Sequence, residues 1–259
     1  MDIYQHFRKD EHEFIDQVLS WKEEVERSFQ RRLTNFLDPR QQQILEDVIG
    51  STNDEIQIKF FGGGQYSERR RAIIAPYYEE IEIVDFQLAL IQASYNVKFI
   101  SLAHRDIMGA FLSLGLKREK LGDIYVDNGI IQIIMADEIS SYVLTNLTGI
   151  KRANLTFEEK PLSNFTEKEP EWIETDKTVS SLRLDALIKE IYNVSRKDAT
   201  EFIKKKFVKV NFKVVEDAKF TLQENDIISL RGKGRSKFVH YNGTTKKDKL
   251  RITIAKLQD

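Results

Sequence analysis

The charged residues of this chain divide into two blocks of opposite sign, and that division constrains the fold more than any single motif. From Thr178 to Asp259 there are 19 Lys and Arg against 10 Asp and Glu, a net of +9. Residues 1–177 carry 21 against 31, a net of −10, so the −1 of the whole chain is a cancellation. Blocks this different point to separate folding units, and a basic module on an acidic body points to a polyanionic partner. The length of 259 residues agrees, since one domain takes roughly 100–150 residues.

Composition removes several classes. At 41% hydrophobic residues, with 16 Phe, 9 Tyr and 2 Trp, the chain is too apolar to remain disordered. It has no Cys, which excludes disulfides, thiolate zinc sites, iron–sulfur clusters and a cysteine nucleophile. The four His (His6, His12, His104, His240) do not stand at metal-ligand spacing, so neither a metal nor a cofactor is expected. No run reaches the ~20 apolar residues of a membrane helix, and the first residues lack the layout of a signal peptide. A cytoplasmic protein without a membrane partner is expected.

The pattern along the chain predicts an α+β fold class. Residues 1–78 read as a helical N-terminal region with a β-hairpin. Phe7, Phe14, Ile15, Val18, Leu19, Trp21, Val25 and Phe29 recur near helical spacing, and Pro39 opens a second helix that ends at Gly50. The hairpin runs from Ile56–Phe61 through Gly62-Gly63-Gly64 to Glu68–Ala75. Residues 79–158 read as strands over 81–101, a helix from His104, strands 124–126 and 130–135 about an Asp127-Asn128-Gly129 turn, a helix 137–147 and a strand 153–157. This order resembles the ferredoxin-like split strand-helix-strand-strand-helix-strand domain, which hosts many functions and by itself assigns none. Residues 159–177, acidic and bearing Pro161 and Pro170, read as a linker.

Residues 178–259 read as two helices followed by short strands and a final hairpin about Asn242-Gly243. Leu184, Leu187, Ile188 and Ile191 form one apolar stripe. A second helix begins at Ser195, with Asp198 three residues on to complete the cap. Its wheel places Ala199, Phe202 and Ile203 on one arc and Arg196, Lys197, Lys204 and Lys205 on the other. In Arg231-Gly232-Lys233-Gly234-Arg235-Ser236-Lys237, cations alternate with residues small enough for a phosphate to approach the backbone.

Four ordered blocks of this segment, Arg183-Leu184-Asp185-x-Leu187, Ser195-Arg196-x-x-Ala199, Val208-x-Val210-Asn211 and Asp226-x-Ile228-x-x-Arg231-Gly232-x-Gly234-Arg235, resemble the small RNA-binding domain of ribosomal protein S-four type. The resemblance implies binding of structured RNA. Its RNA-binding candidates are Arg183, Ser195, Arg196, Lys197, Lys204, Lys205, Lys209, Asn211, Arg231, Lys233, Arg235 and Lys237. Lys206, Phe212 and Asn225 stand where the family often has Gly, and Asp185 reads as a helix-start charge or an ion pair holding Arg183.

In the acidic body, His104-Arg105-Asp106 lacks the Asn that would make it a kinase catalytic loop, and Gly62-Gly63-Gly64 lacks the Gly-Lys-Ser/Thr ending of a phosphate loop. Arg183-Leu184-Asp185 resembles a pseudouridine-synthase triplet, but it lies inside the small module and no large catalytic domain follows it. No catalytic residue is assigned. Arg69, Arg70, Arg71, Arg105, Lys117 and Arg118 form a candidate second RNA surface.

With the segment from His104 to Ile124 added, the resemblance extends over nearly the whole chain to the YlmH family of bacteria. It implies an RNA-binding middle domain, association with the large ribosomal subunit and a role in quality control of stalled subunits. The implied partners are large-subunit ribosomal RNA and tRNA or peptidyl-tRNA. The rival readings are a cell-division scaffold with incidental RNA binding and an RNA-modifying enzyme.

Overall fold

Ile15, Val18, Trp21 and Val25 bury one face of helix α1 (His12–Ser28), which stops where Phe29 turns left-handed (φ 55°) and its N–H reaches the Val25 carbonyl. This computed structural model describes residues 3–50 and 55–258, which form two compact units, Met1–Lys168 and Glu169–Asp259.

In the first unit, strand β1 (Arg32–Leu37) follows α1 within the stretch expected to be wholly helical. Six residues between two helices are too few to display a period of two. The strand is held instead by tertiary pairing, with Thr34 Oγ1 accepting the Ala72 N–H at 2.9 Å. Helix α2 (Pro39–Ile49) starts as expected: Asp38 and Gln41 exchange side-chain-to-backbone hydrogen bonds at 2.9 Å around Pro39. Strands β2 (Ile56–Phe61) and β3 (Arg70–Pro76) are the expected hairpin, and the antiparallel sheet has the order β1-β3-β2.

The rest of this unit contains β4 (Leu88–Ser94), α3 (His104–Ser113), β5 (Leu121–Asp127), β6 (Ile130–Ala136), α4 (Ser140–Asn146), β7 (Gly149–Ile150), β8 (Ala153–Asn154) and β9 (Glu158–Lys160). Its four-stranded antiparallel sheet is ordered β5-β6-β4-β9, the strand order of the ferredoxin-like pattern. Asn128 and Gly129, both at positive φ, make the tight β5–β6 turn.

Three expectations change here. Of residues 81–101 only β4 is a strand; Ile83–Phe86 is a 3-10 turn and the chain after Ser94 is a loop. The last sheet strand is β9 and not 153–157, because Leu155 and Phe157 turn into the core. Residues 1–78 and 79–158 are also not separate: Phe36 of β1 packs with Leu90, Ile134 and Ala136. Between Phe36, Leu162 and Phe165 on one side and α3 and α4 on the other, the central strands β4 and β6 are buried on both faces.

The second unit begins with β10 (Trp172–Val179), which corrects the linker expected at 159–177. Eight residues of β10 pair with β15 (Leu250–Leu257) at the edge of a sheet. An edge strand exposed along most of its length tolerates Glu174 and Asp176, so it lacks the apolar alternation by which strands are read. Helices α5 (Leu184–Tyr192) and α6 (Arg196–Lys204) follow, then β11 (Val208–Val210), β12 (Lys213–Val214), β13 (Ile227–Leu230) and β14 (Gly234–Thr244). The sheet order is β10-β15-β14-β13-β11-β12, and Leu184, Leu187, Ile188 and Ile191 enter a core with Ile203, Phe238, Ile252 and Ile254. The final hairpin turns at 245–249 and not at Asn242-Gly243, which lie inside β14 where the register shifts between Tyr241 and Thr244.

Candidate nucleic-acid interface

The start of α5 carries a carboxylate that is almost entirely buried. Asp185 is 3% exposed and accepts hydrogen bonds from Arg183 Nε and Nη2 (3.1 and 2.9 Å) and from Arg196 Nε (3.2 Å). Burial pushes its pKa up, but the two guanidiniums outweigh that and hold it below the usual carboxylate value. Asp185 therefore fixes Arg183, before α5, and Arg196, at the first position of α6, beside each other. The ion pair expected with Arg183 is present, and Arg196 joins it.

Ser195 caps α6 by accepting the Asp198 N–H at 3.0 Å, as its spacing implies. Ala199 and Ile203 face the core, while Arg196, Lys197, Lys204 and Lys205 are exposed. Lys205 pairs with Glu201 one turn earlier, at 2.6 Å.

The glycine-basic turn stands next to the end of this helix. Phe207, which follows the cationic end of α6, accepts the Arg231 N–H on its carbonyl at 2.9 Å, and the Arg231 guanidinium lies 5.3 Å over its ring. Tyr192 Oη, at the end of α5, reaches the Gly234 carbonyl at 3.2 Å and Ser236 Oγ at 3.0 Å, so the turn is tied back to the first helix. Gly232 and Gly234 have φ of 78° and 84°, with no atom within 4 Å of where a Cβ would stand. Glycine is thus required there by backbone conformation, and the space over the turn is open. Lys206, Phe212 and Asn225 adopt the positive φ that glycine would take without strain.

The predicted residues divide in role. Lys197, Lys204, Lys205, Lys209, Arg231 and Lys233 are exposed cations. Arg235 and Lys237 are half-buried on β14, and Arg235 stacks over Phe212 at 6.0 Å. Asn211 is occupied internally: its Nδ2 donates to Asp226 at 2.7 Å and its Oδ1 accepts the Ile227 N–H at 2.9 Å. Sequence reasoning missed Phe207 and Tyr192, whose only signal is an aromatic beside the basic segments.

The candidate second surface does not form as expected. Arg71 is 4% exposed and donates to the carbonyls of Thr34, Phe86 and Gln87 at 2.7–3.2 Å, which removes it from any surface. It lies on β3, where every residue from Arg71 to Pro76 is buried. Arg69 donates to the Leu121 and Phe36 carbonyls, and Arg70 to that of Ser67. Arg118 shares the Leu121 carbonyl at 2.6 Å; burial, with the Arg69 charge adding, pushes its pKa down to about 10. Arg105 and Lys117 are exposed. Among the described residues no cluster of His, Asp and Glu could hold a metal, and no helix is long and apolar enough to cross a membrane.

Two helices against a small sheet, with cations on the second helix and on a glycine turn, define an S4-domain protein, and the family model described as "S4 domain" matches residues 182–228. A second model, "Putative RNA-binding domain in YlmH", matches residues 82–164, the ferredoxin-like part. The chain is 42% identical over 253 residues to the "Ribosome-associated protein quality control protein P2" of Bacillus subtilis (strain 168), covering 98% of each chain. It also matches the solved structure "Cell division protein ylmH from Streptococcus pneumoniae", with TM-score 0.55 and 30% identity over 64% of this chain and 99% of that one. The chain belongs to the YlmH family.

Proposed function

We propose that this protein is a non-catalytic, cytoplasmic RNA-binding factor that docks on ribosomal RNA of the large subunit and on tRNA held there as stalled peptidyl-tRNA. The observation that carries this reading is the contact of Arg231, in the glycine-basic turn, with Phe207, just past the end of α6, which joins a turn bearing exposed Lys233 to a helix end bearing exposed Lys204 and Lys205. Ammonium and guanidinium groups around an open turn suit phosphate oxygens, and phosphate contacts position a protein on RNA without altering bonds. Similarity to a ribosome-associated quality-control protein over nearly the whole chain supports the ribosome as the setting. Arg183 and Arg196, held by Asp185, would add two oriented forks on the same module. The role is positioning; neither a cofactor nor a metal enters it.

The direct test is a salt titration with a structured ribosomal RNA fragment and a DNA of matched length and shape. Tighter binding to RNA at every salt concentration is expected, with a log-log slope of several units. Equal affinity for both would contradict RNA specificity.

A further inference from the structure

The central strands β4 and β6 of the four-stranded sheet are buried over most of their length, which leaves the outer strands and the loops as the places where a polyanion can meet the first unit. Gln132, on the face opposite α3 and α4, is 2% exposed and committed to Gln92, the Asn164 carbonyl and the Thr166 N–H at 2.7–2.8 Å. The middle of that face is therefore closed to bases.

One end of the sheet offers an alternative. The loop after β4 and the turn between β7 and β8 enclose an open groove of about 990 Å³, lined by polar side chains that include Asn96, Ser101 and Asn154. Phe99 stands in its wall 86% exposed, more than any other large hydrophobic side chain among the described residues. The loop that presents it is anchored: Tyr95 N–H donates to the Gly129 carbonyl at 2.7 Å, Phe99 N–H to the Asn96 carbonyl at 3.2 Å and Lys98 N–H to Asn96 Oδ1 at 3.0 Å. The opposite wall carries Lys151, at φ 55°, and Arg152, both exposed. Lys151 is paired with Asp106 at 2.6 Å, which leaves Arg152 as the available cation of the lining, and Lys98, the chain neighbour of Phe99, is exposed outside that lining. No carboxylate lines the groove, although the block of residues around it is strongly acidic.

We propose that this groove binds an unpaired stretch of RNA, with a base stacked on Phe99 and phosphates held by Lys98 and Arg152. A rigidly presented aromatic flanked by cations in a polar groove is the arrangement that recognises single strands, since every base offers a π-face. The inference rests on the RNA-binding reading above and assigns the first unit a different class of RNA from the structured RNA of the S4 domain.

The test uses the full chain, its Phe99→Ala variant and its Lys98→Glu, Arg152→Glu variant. The probes are a fluorescein-labelled oligoadenylate and a labelled RNA hairpin with a minimal loop. Phe99→Ala should weaken oligoadenylate binding roughly ten-fold and leave hairpin affinity and the unfolding midpoint unchanged. The charge reversal should do the same or more. Photocrosslinking with a halogenated oligouridylate should map to residues 95–101. Unchanged oligoadenylate affinity in Phe99→Ala, an equal loss on both probes, or a parent that binds the hairpin but not the single strand would overturn the proposal. A parent that binds neither probe would overturn the RNA-binding reading as well.

Discussion

Asp185 accepts the Arg196 Nε at 3.2 Å from a position almost sealed from solvent, so one carboxylate sets the spacing of α5 and α6 at their starts. Asp185→Asn keeps the shape but leaves two guanidiniums without a counter-charge. The expected loss is about 1–3 kcal/mol, read from urea unfolding. Phosphate affinity should fall too, since Arg183 and Arg196 lose their fixed orientation.

The same pair predicts an acid dependence. The folded pKa of Asp185 is depressed, so its contribution is fully present above the ordinary carboxylate value of about 3.9 and is lost as pH falls through the lower folded value. The stability gap between the parent and Asp185→Asn should therefore be constant near neutral pH and close on acidification below about pH 4. A gap that widens there would show that the carboxylate is not held by these arginines.

Lys197 and Lys233 are exposed, one on α6 and one in the glycine turn. If each neutralises one phosphate, replacing either by Ala should reduce the log-log salt slope by about 0.7–0.9 with little change in stability. Fluorescence anisotropy across a salt series measures both slopes.

Arg71 and Lys117 should behave oppositely to a shared surface role. Arg71→Met removes the donor from two buried hydrogen bonds, to the Thr34 and Phe86 carbonyls, and should destabilise the first unit by about 2–4 kcal/mol. Lys117→Ala, on an exposed side chain, should stay within about 0.5 kcal/mol. Thermal unfolding of the two variants makes the comparison.

What was legible in the sequence was what is encoded locally. Ser195 with Asp198, Asp38 with Gln41 around Pro39, and the glycines of 231–235 each announce their conformation within a few residues, and the S4 domain is built from such signals. The α/β order of 88–136 was readable because its strands are apolar and the Asn128-Gly129 turn is specific. Strands β1 and β10 were not, because a short strand between helices and an edge strand with few buried positions are fixed by their partners. The site was legible by the same rule. The cations of α6 and of the glycine turn could be placed, whereas the run Arg69-Arg70-Arg71 looks basic in sequence yet is drawn into carbonyl contacts at the start of a strand that is buried on both faces. Phe99 carries no sequence signal at all; only its exposure in the wall of a polar groove gives it meaning.

The proposed docking on the large ribosomal subunit runs through the S4 domain. The most direct measurement is co-sedimentation of the full chain with small subunits, large subunits and large subunits carrying peptidyl-tRNA, beside a Lys197→Glu, Lys233→Glu variant whose changes lie on exposed side chains. Selective pelleting with large subunits is expected, strongest with peptidyl-tRNA present and lost in the variant. Equal pelleting with all three particles, or binding that survives the charge reversal, would contradict it.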